Sequence, residues 1–114
     1  MRALLAGIGL YLIGQVLTWF QTNGQFISPW IKNHPLIVSV VGGTAISYAF
    51  IKATALIASY YDGLIWPGRF IGFAVGIASF AVLTRMFMGE GINAKTVVSL
   101  GLAFALICVQ LLWK

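Results

Sequence analysis

Residues 64–87 have the sequence LIWPGRFIGFAVGIASFAVLTRMF, and this stretch decides the fold of the chain. Its apolar run is long enough to cross a bilayer, for which a helix needs ~20 residues. Its two charged residues, Arg69 and Arg85, lie toward opposite ends. In lipid, small residues four positions apart share one helix face and let a neighbouring helix approach closely. The stretch carries such a face, formed by Gly68, Gly72 and Gly76.

The composition of the whole chain is also that of a membrane protein. Of its 114 residues, 61% are hydrophobic and 8% are charged, whereas an average soluble domain has about 25% charged residues. So few charges cannot cover a soluble globule, and the apolar content excludes a disordered chain. A single cysteine, Cys108, excludes a disulfide scaffold. These figures predict one all-α integral membrane domain over residues 1–114.

Three further stretches resemble this one in length and apolar character. The sequence therefore predicts four membrane helices, over residues 3–21, 35–59, 64–87 and 95–113. Turn-forming residues separate them, such as Asp62-Gly63. The first stretch follows Arg2 as in a signal peptide, but its run is long and no soluble domain follows it, so we expect a retained helix. The predicted fold is a four-helix transmembrane bundle with both termini on one side.

The net charge of +5 comes from seven scattered basic residues, no two of which are adjacent. There is no basic patch for a nucleic acid, and we expect these side chains to anchor helix ends at lipid phosphates. Nearly equal numbers fall on the two sides of the predicted membrane, so the positive-inside rule does not decide the orientation. One fixed orientation and an antiparallel homodimer both remain open. The expected location is the cell (inner) membrane.

The last predicted helix carries small residues at four-residue spacings and few other features. We expect it to pair two copies of the chain into a homodimer, with a small membrane complex as the other assembly considered. The predicted helix-packing residues of the third and fourth helices are Gly68, Gly72, Gly76, Ser99, Gly101 and Ala103.

Three charged residues surround the turn between the second and third predicted helices. Asp62 lies in the turn and can pair with Lys52 before it or with Arg69 after it. We expect an ion pair or lipid anchor at the membrane interface. The alternative is a cation or proton site at Asp62, since a carboxylate near a pore can titrate.

Polar and aromatic side chains recur at helical spacing on three of the predicted helices. A glutamine in hydrocarbon must find partners, so a face that contains Gln15 is expected to meet protein or a cavity rather than lipid. Such faces are usually helix-packing surfaces, but three together favour a cavity for an amphipathic ligand. The candidate substrate-binding residues are Tyr11, Gln15, Thr18, Trp19, Tyr48, Trp66 and Phe70.

No catalytic motif accompanies these faces. The single histidine, His34, has no acidic neighbour in the sequence, and no phosphate-binding loop, cysteine pair or zinc-binding helix motif occurs. We therefore expect no enzyme activity, no cofactor and no bound metal ion.

The layout resembles the small multidrug resistance family of the drug/metabolite transporter superfamily. The matching features are Gly14-Gln15 followed by Thr18, Trp66 followed by Pro67-Gly68, and Gly89-Glu90 before the last helix. The resemblance implies a dimer, often antiparallel, in which Trp66 contacts the substrate. Where the family has its coupling glutamate, this chain has Gln15, which cannot titrate. The resemblance therefore implies transport without proton coupling at that residue, as in the superfamily branches that include small lipid-linked sugar flippase subunits.

Two functions follow from the sequence. The first is a small transporter-like protein that moves or binds an amphipathic or cationic small molecule or a lipid-linked substrate. The second is a membrane protein that does not transport, either an accessory subunit of a membrane complex or a holin-like pore former.

Overall fold

The structure, a computed structural model, describes residues 1–113 and shows an almost wholly helical chain. A 3₁₀ turn at Gly24–Phe26 follows the first helix, and a π-helical turn at Thr84–Met88 extends the fourth. No strand occurs in the described residues, which confirms the all-α prediction. The α-helices are α1 (Arg2–Asn23), α2 (Pro29–Asn33), α3 (Pro35–Tyr60), α4 (Trp66–Leu83) and α5 (Ala94–Leu112).

Four of these helices are long and apolar enough to cross a membrane, namely α1, α3, α4 with its π-helical turn, and α5. They match the four predicted spans, with ends that differ by a few residues. The short α2 lies in the link between α1 and α3, where the Trp30 ring stacks on His34 with centroids 4.5 Å apart.

Local interactions explain where the helices begin and end. Asn93 caps α5, because its Oδ1 accepts hydrogen bonds from the Thr96 amide at 2.9 Å and from the Thr96 hydroxyl at 3.0 Å. The end of α3 is closed by the Gly63 amide, which donates to the Ala58 carbonyl at 2.7 Å. Asp62 takes the left-handed backbone position of this turn, with φ of 57°. Aspartate is one of the few non-glycine residues that tolerate that conformation.

Helix α1 lies at the centre of a flattened bundle that measures 47 × 36 × 18 Å. Helix α3 packs antiparallel to it, since Gly7 meets Ile57 whereas Gly14 meets Phe50. Helix α4 packs on α1 in the parallel sense, and α5 packs mainly on α4. The order across the bundle is therefore α3, α1, α4, α5.

The tightest packing lies between α1 and α3. Ala53 and Ile57 of α3 are fully buried, and Tyr11 and Ile71 complete a small core around them. Gly7 gives Ile57 its space: a Cβ added at Gly7 would lie 3.0 Å from Ile57 Cδ1 and 3.2 Å from the Ala53 carbonyl oxygen. Such a contact leaves no room for a side chain on α1 at this point.

Replacing Gly7 with alanine should therefore lower the free energy of unfolding by about 1–3 kcal/mol, because buried Ile57 has no free space to move into. Gly9 is the matched control, since a Cβ there meets no atom within 4 Å. Gly9→Ala should be neutral or stabilise the helix by up to about 1 kcal/mol. Denaturant titration in mixed micelles, followed by circular dichroism, measures both. Equal effects of the two substitutions would contradict this packing.

Candidate functional site

A groove opens between α3 and α4, and side chains of α1 form its floor. It consists of two adjoining cavities of about 320 and 430 Å³, which share Tyr11, Thr54 and Arg69. Each volume lies at the lower end of the range of ~300–1,000 Å³ that is usual for small-molecule sites. We call the two cavities together the α1/α3/α4 groove. Its other lining residues are Gln15, Phe50, Ile65, Trp66, Gly72 and Phe73.

The glycine face of α4 shapes one side of this groove. A Cβ added at Gly72 would lie 3.3 Å from the Tyr11 ring, and one added at Gly76 would lie 3.0 Å from the Gln15 side chain. The face thus receives two side chains of α1. The sequence predicts this face as a packing surface, and the structure shows which helix packs on it.

Two hydrogen bonds in the floor tie α1 to its neighbours. The hydroxyl groups of Tyr11 and Thr54 lie 2.9 Å apart, which joins α1 to α3. The Gln15 amide Nε2 donates to the Gly72 carbonyl at 3.3 Å, which joins α1 to α4. Polar groups surrounded by hydrocarbon need such partners. A carboxylate at position 15 could not make the second bond, because it has no hydrogen to donate to a carbonyl.

Arg69 is the one charged side chain among the groove-lining residues. Arg69 lines both cavities together with Thr54. Thr54 lies about 9 Å along the axis of α3 from the end of that helix at Tyr60. Trp66 lines the second cavity one turn before Arg69, and its ring is 65% exposed. The lining of the groove therefore includes a positively charged side chain, an exposed tryptophan and two hydroxyl groups.

Three of the seven candidate substrate-binding residues line the groove: Tyr11, Gln15 and Trp66. Phe70 neighbours Trp66, with ring centroids 6.2 Å apart, but lies outside the lining. Tyr48 is 64% exposed on another face of α3, where the Lys52 ammonium group lies 5.9 Å from the centre of its ring.

Thr18 and Trp19 lie further along α1 and have structural contacts. The Thr18 hydroxyl donates to the Gly14 carbonyl of its own helix at 2.7 Å. The buried Trp19 indole donates to the Thr84 hydroxyl at 3.0 Å and packs against Phe87. The predicted polar face of α1 thus divides along its length into a groove floor and a packing contact.

The three charged residues near the α3–α4 turn are placed in three different environments. Lys52 lies beside Tyr48, Arg69 lines the groove, and Asp62 is exposed in the turn. Within residues 1–113 the structure does not bring them together as the expected ion pair. Lys52 lies on a face of α3 outside the groove lining, and Asp62 lies in the turn, outside the two cavities that Arg69 lines.

Sequence reasoning missed Phe50 and Thr54 of α3, and Phe73 of α4 lines the groove although it is not among the seven candidate binding residues. A signal for the first two is present, because Ala49 and Ala53 are four residues apart and mark the face of α3 that packs on α1. Phe50 and Thr54 follow these alanines by one position and therefore flank the contact. The predicted polar stripe that contains Tyr48 lies on another face of α3, outside the groove lining.

On α5, the predicted packing residues have different neighbours. Ala103 is buried in the chain, whereas Gly101 has open space where its Cβ would be. Ser99 is exposed, and its hydroxyl donates to the Lys95 carbonyl at 3.0 Å. One side of α5 therefore packs within the chain and another side carries small residues without a neighbour in it.

The groove combines hydrogen-bond donors with aromatic walls and is suited to binding. Within residues 1–113 no group of three His, Cys, Asp or Glu side chains is placed to hold a metal ion. No protein family, curated protein or solved structure matches the chain.

Replacing Gln15 with glutamate should lower the melting temperature more at pH 8 than at pH 5. A protonated carboxyl can donate to the Gly72 carbonyl as the amide does, but a carboxylate cannot, so stability falls as the proton is lost. Gln15→Met is the control, because it removes the bond without adding an ionisable group. Thermal unfolding in dodecyl maltoside at both pH values measures the difference. If the melting temperature of Gln15→Glu fell by the same amount at both pH values, as is expected of Gln15→Met, the result would argue against the hydrogen bond.

Proposed function

We propose that the chain is a multi-pass membrane protein that binds an amphipathic small molecule or a lipid-linked substrate in the α1/α3/α4 groove and transports it as a small dimer. The observation that carries this proposal is the groove, in which a polar floor lies between aromatic walls. No residue of α5 lines the groove, so the last helix does not cover the groove. Such a site suits a molecule with one polar and one apolar part.

The exposed surface supports placement in a bilayer. Large apolar side chains are exposed on every long helix, for example Leu5, Val41, Val82 and Leu102. Apolar surface of this extent is a liability in water, whereas lipid solvates it without cost. We propose the cell (inner) membrane as its location.

The lining residues favour a neutral or lipid-linked substrate over a cationic one. A cation in the groove would meet Arg69, and no carboxylate lines either cavity to balance the repulsion. Phe50, Phe73 and Trp66 can contact hydrocarbon, while the hydroxyl groups and the Gln15 amide can bond a polar group.

We also propose kinship with the small multidrug resistance family, on the layout of the sequence. Two groove residues support it, since Gln15 lies in the floor and Trp66 in the lining. Because Gln15 donates its amide to a backbone carbonyl and has no titrating group, it cannot couple transport to protons. Movement of a substrate would then be passive or driven through a partner.

Helix α5 is the element that we assign to dimerisation. Ala103 is its one buried residue, so most of its surface is available to a second copy. Ser99 and Gly101 supply small side chains for close helix contact in lipid. The near-even charge distribution permits an antiparallel pair.

A second candidate function is supported by another face of α3. Ser47, Tyr48 and Lys52 are exposed there, next to a shallow depression that includes Ser39 and Gly43. Polar side chains on a lipid-facing surface are costly and usually meet another protein. An accessory subunit of a membrane complex would use this face as its contact.

The mass of the assembly separates these candidates. The transporter-like protein should purify from dodecyl maltoside as a dimer, measured by size-exclusion chromatography with light scattering. A constant ratio to a second polypeptide would favour the subunit, and a large ring would favour a pore. Substituting Tyr48 and Lys52 with leucine should disrupt a subunit complex and leave a dimer built on α5 intact.

Substrate binding is tested by photolabelling with a monoacylglycerol that carries a diazirine in its chain. The label should map to the groove by mass spectrometry of peptides, and Trp66→Ala should reduce it at least about threefold, because the indole supplies a large contact surface. Phe104→Ala is the matched control, since that aromatic residue is exposed on α5, outside the groove lining. Equal labelling of both variants and the unchanged chain would overturn the groove as the site.

A further inference from the structure

Arg69 is an exposed charged side chain in the lining of the groove, and no carboxylate in that lining neutralises it. The two acidic side chains of the chain, Asp62 and Glu90, are both absent from the groove lining. Glu90 lines a different cavity, beside the C-terminal half of α4. Arg69 lies in the first turn of α4, where its guanidinium group can bind an anion that enters the groove.

The groove also has more hydrogen-bond donors than its own contacts use. In the Tyr11–Thr54 pair one hydroxyl donates to the other, which leaves one O–H free. Gln15 uses one amide hydrogen on the Gly72 carbonyl and retains a second. Arg69 adds up to five N–H donors in a planar fork that fits a tetrahedral or carboxylate anion.

We infer that the α1/α3/α4 groove selects an amphiphile whose head group is a phosphate, bound by Arg69 with the Tyr11–Thr54 hydroxyl pair and Gln15. A phosphate brings negative charge and several acceptor oxygens, so it complements a site that is rich in donors. The hydrocarbon part lies against Phe50, Phe73 and Trp66. This inference rests on the proposed function, because it names the substrate class of the same groove.

The competing explanation is that Arg69 reaches out of the groove to phosphates of the surrounding lipid. That contact would be non-selective and would need none of the groove's other donors. The two explanations differ in a measurable way. Only a head group that is bound in the groove makes a phosphate amphiphile bind there more tightly than a neutral amphiphile with the same alkyl chain.

The experiment uses the full chain in neutral dodecyl maltoside micelles and the groove label described above. Dodecyl phosphate and dodecanol compete for the label; they share a chain and differ in the head group. Dodecyl phosphate should displace the label at a concentration at least about tenfold lower. Arg69→Gln should abolish this preference while the label still enters, and Arg69→Lys should retain part of it. Arg85→Gln removes the same charge outside the groove and should leave the preference unchanged.

Each outcome decides between the explanations. Equal displacement by both competitors, stronger displacement by dodecyltrimethylammonium, or a preference that survives Arg69→Gln would overturn the phosphate site while the groove remains a binding site. If the label never maps to the groove, the proposed function itself fails. Inorganic phosphate as sole competitor identifies the source of the phosphate group. If it does not displace the label, a lipid head group is supported. If it displaces the label at the same concentration as dodecyl phosphate, the groove binds free phosphate and the proposal of an amphiphilic ligand is overturned.

Discussion

The contact between the glycine face of α4 and two side chains of α1 is the constraint on which the groove depends. Tyr11 and Gln15 project into the space that Gly72 and Gly76 leave open, so α4 is held close to α1 by side chains. In lipid the hydrophobic effect does not draw helices together, and close packing with interhelical hydrogen bonds must do so. The Gln15–Gly72 bond supplies the polar part of this contact.

The same contact produces the groove. Helix α3 is held on the other side of α1 by Ile57 and Phe50, which pack into Gly7 and Gly14. Because α3 and α4 both pack on α1 and meet each other only over a short region, a gap remains between them. The polar side chains that hold the bundle together therefore also line the space in which a ligand is proposed to bind.

The contacts of the polar residues differ with their position along the helix and with the helix face on which they lie. On α1, Tyr11 and Gln15 form a floor, while Trp19 joins the far end of α4 through Thr84. On α3, Thr54 faces the groove and Tyr48 does not. This division explains why a helical stripe identified in a sequence contains both groove-lining and packing residues. Spacing defines a face, but the neighbour of that face changes along the helix.

Several groove residues were accessible to sequence reasoning, and others were not. Tyr11 and Gln15 are predicted because they share a polar face of an apolar helix, and Trp66 because it belongs to an aromatic face and matches the tryptophan of the family that the sequence resembles. Phe50 could not be separated from other apolar residues, since an aromatic ring is compatible both with lipid and with an apolar groove wall. For Arg69 the sequence predicts an interfacial ion pair with Asp62 or a lipid anchor, because proximity in sequence does not show that its side chain lines a groove.

The sequence by itself determined the all-α class, the four apolar helices and the small-residue face of α4, because these follow from length, apolar content and four-residue spacing. The tertiary structure decided that α1 is central, that α3 and α4 both pack on it, and that Arg69 faces the groove. The physical reason is that spacing within a helix specifies which residues share a face, whereas the partner of each face is set by the shapes of all helices packed together.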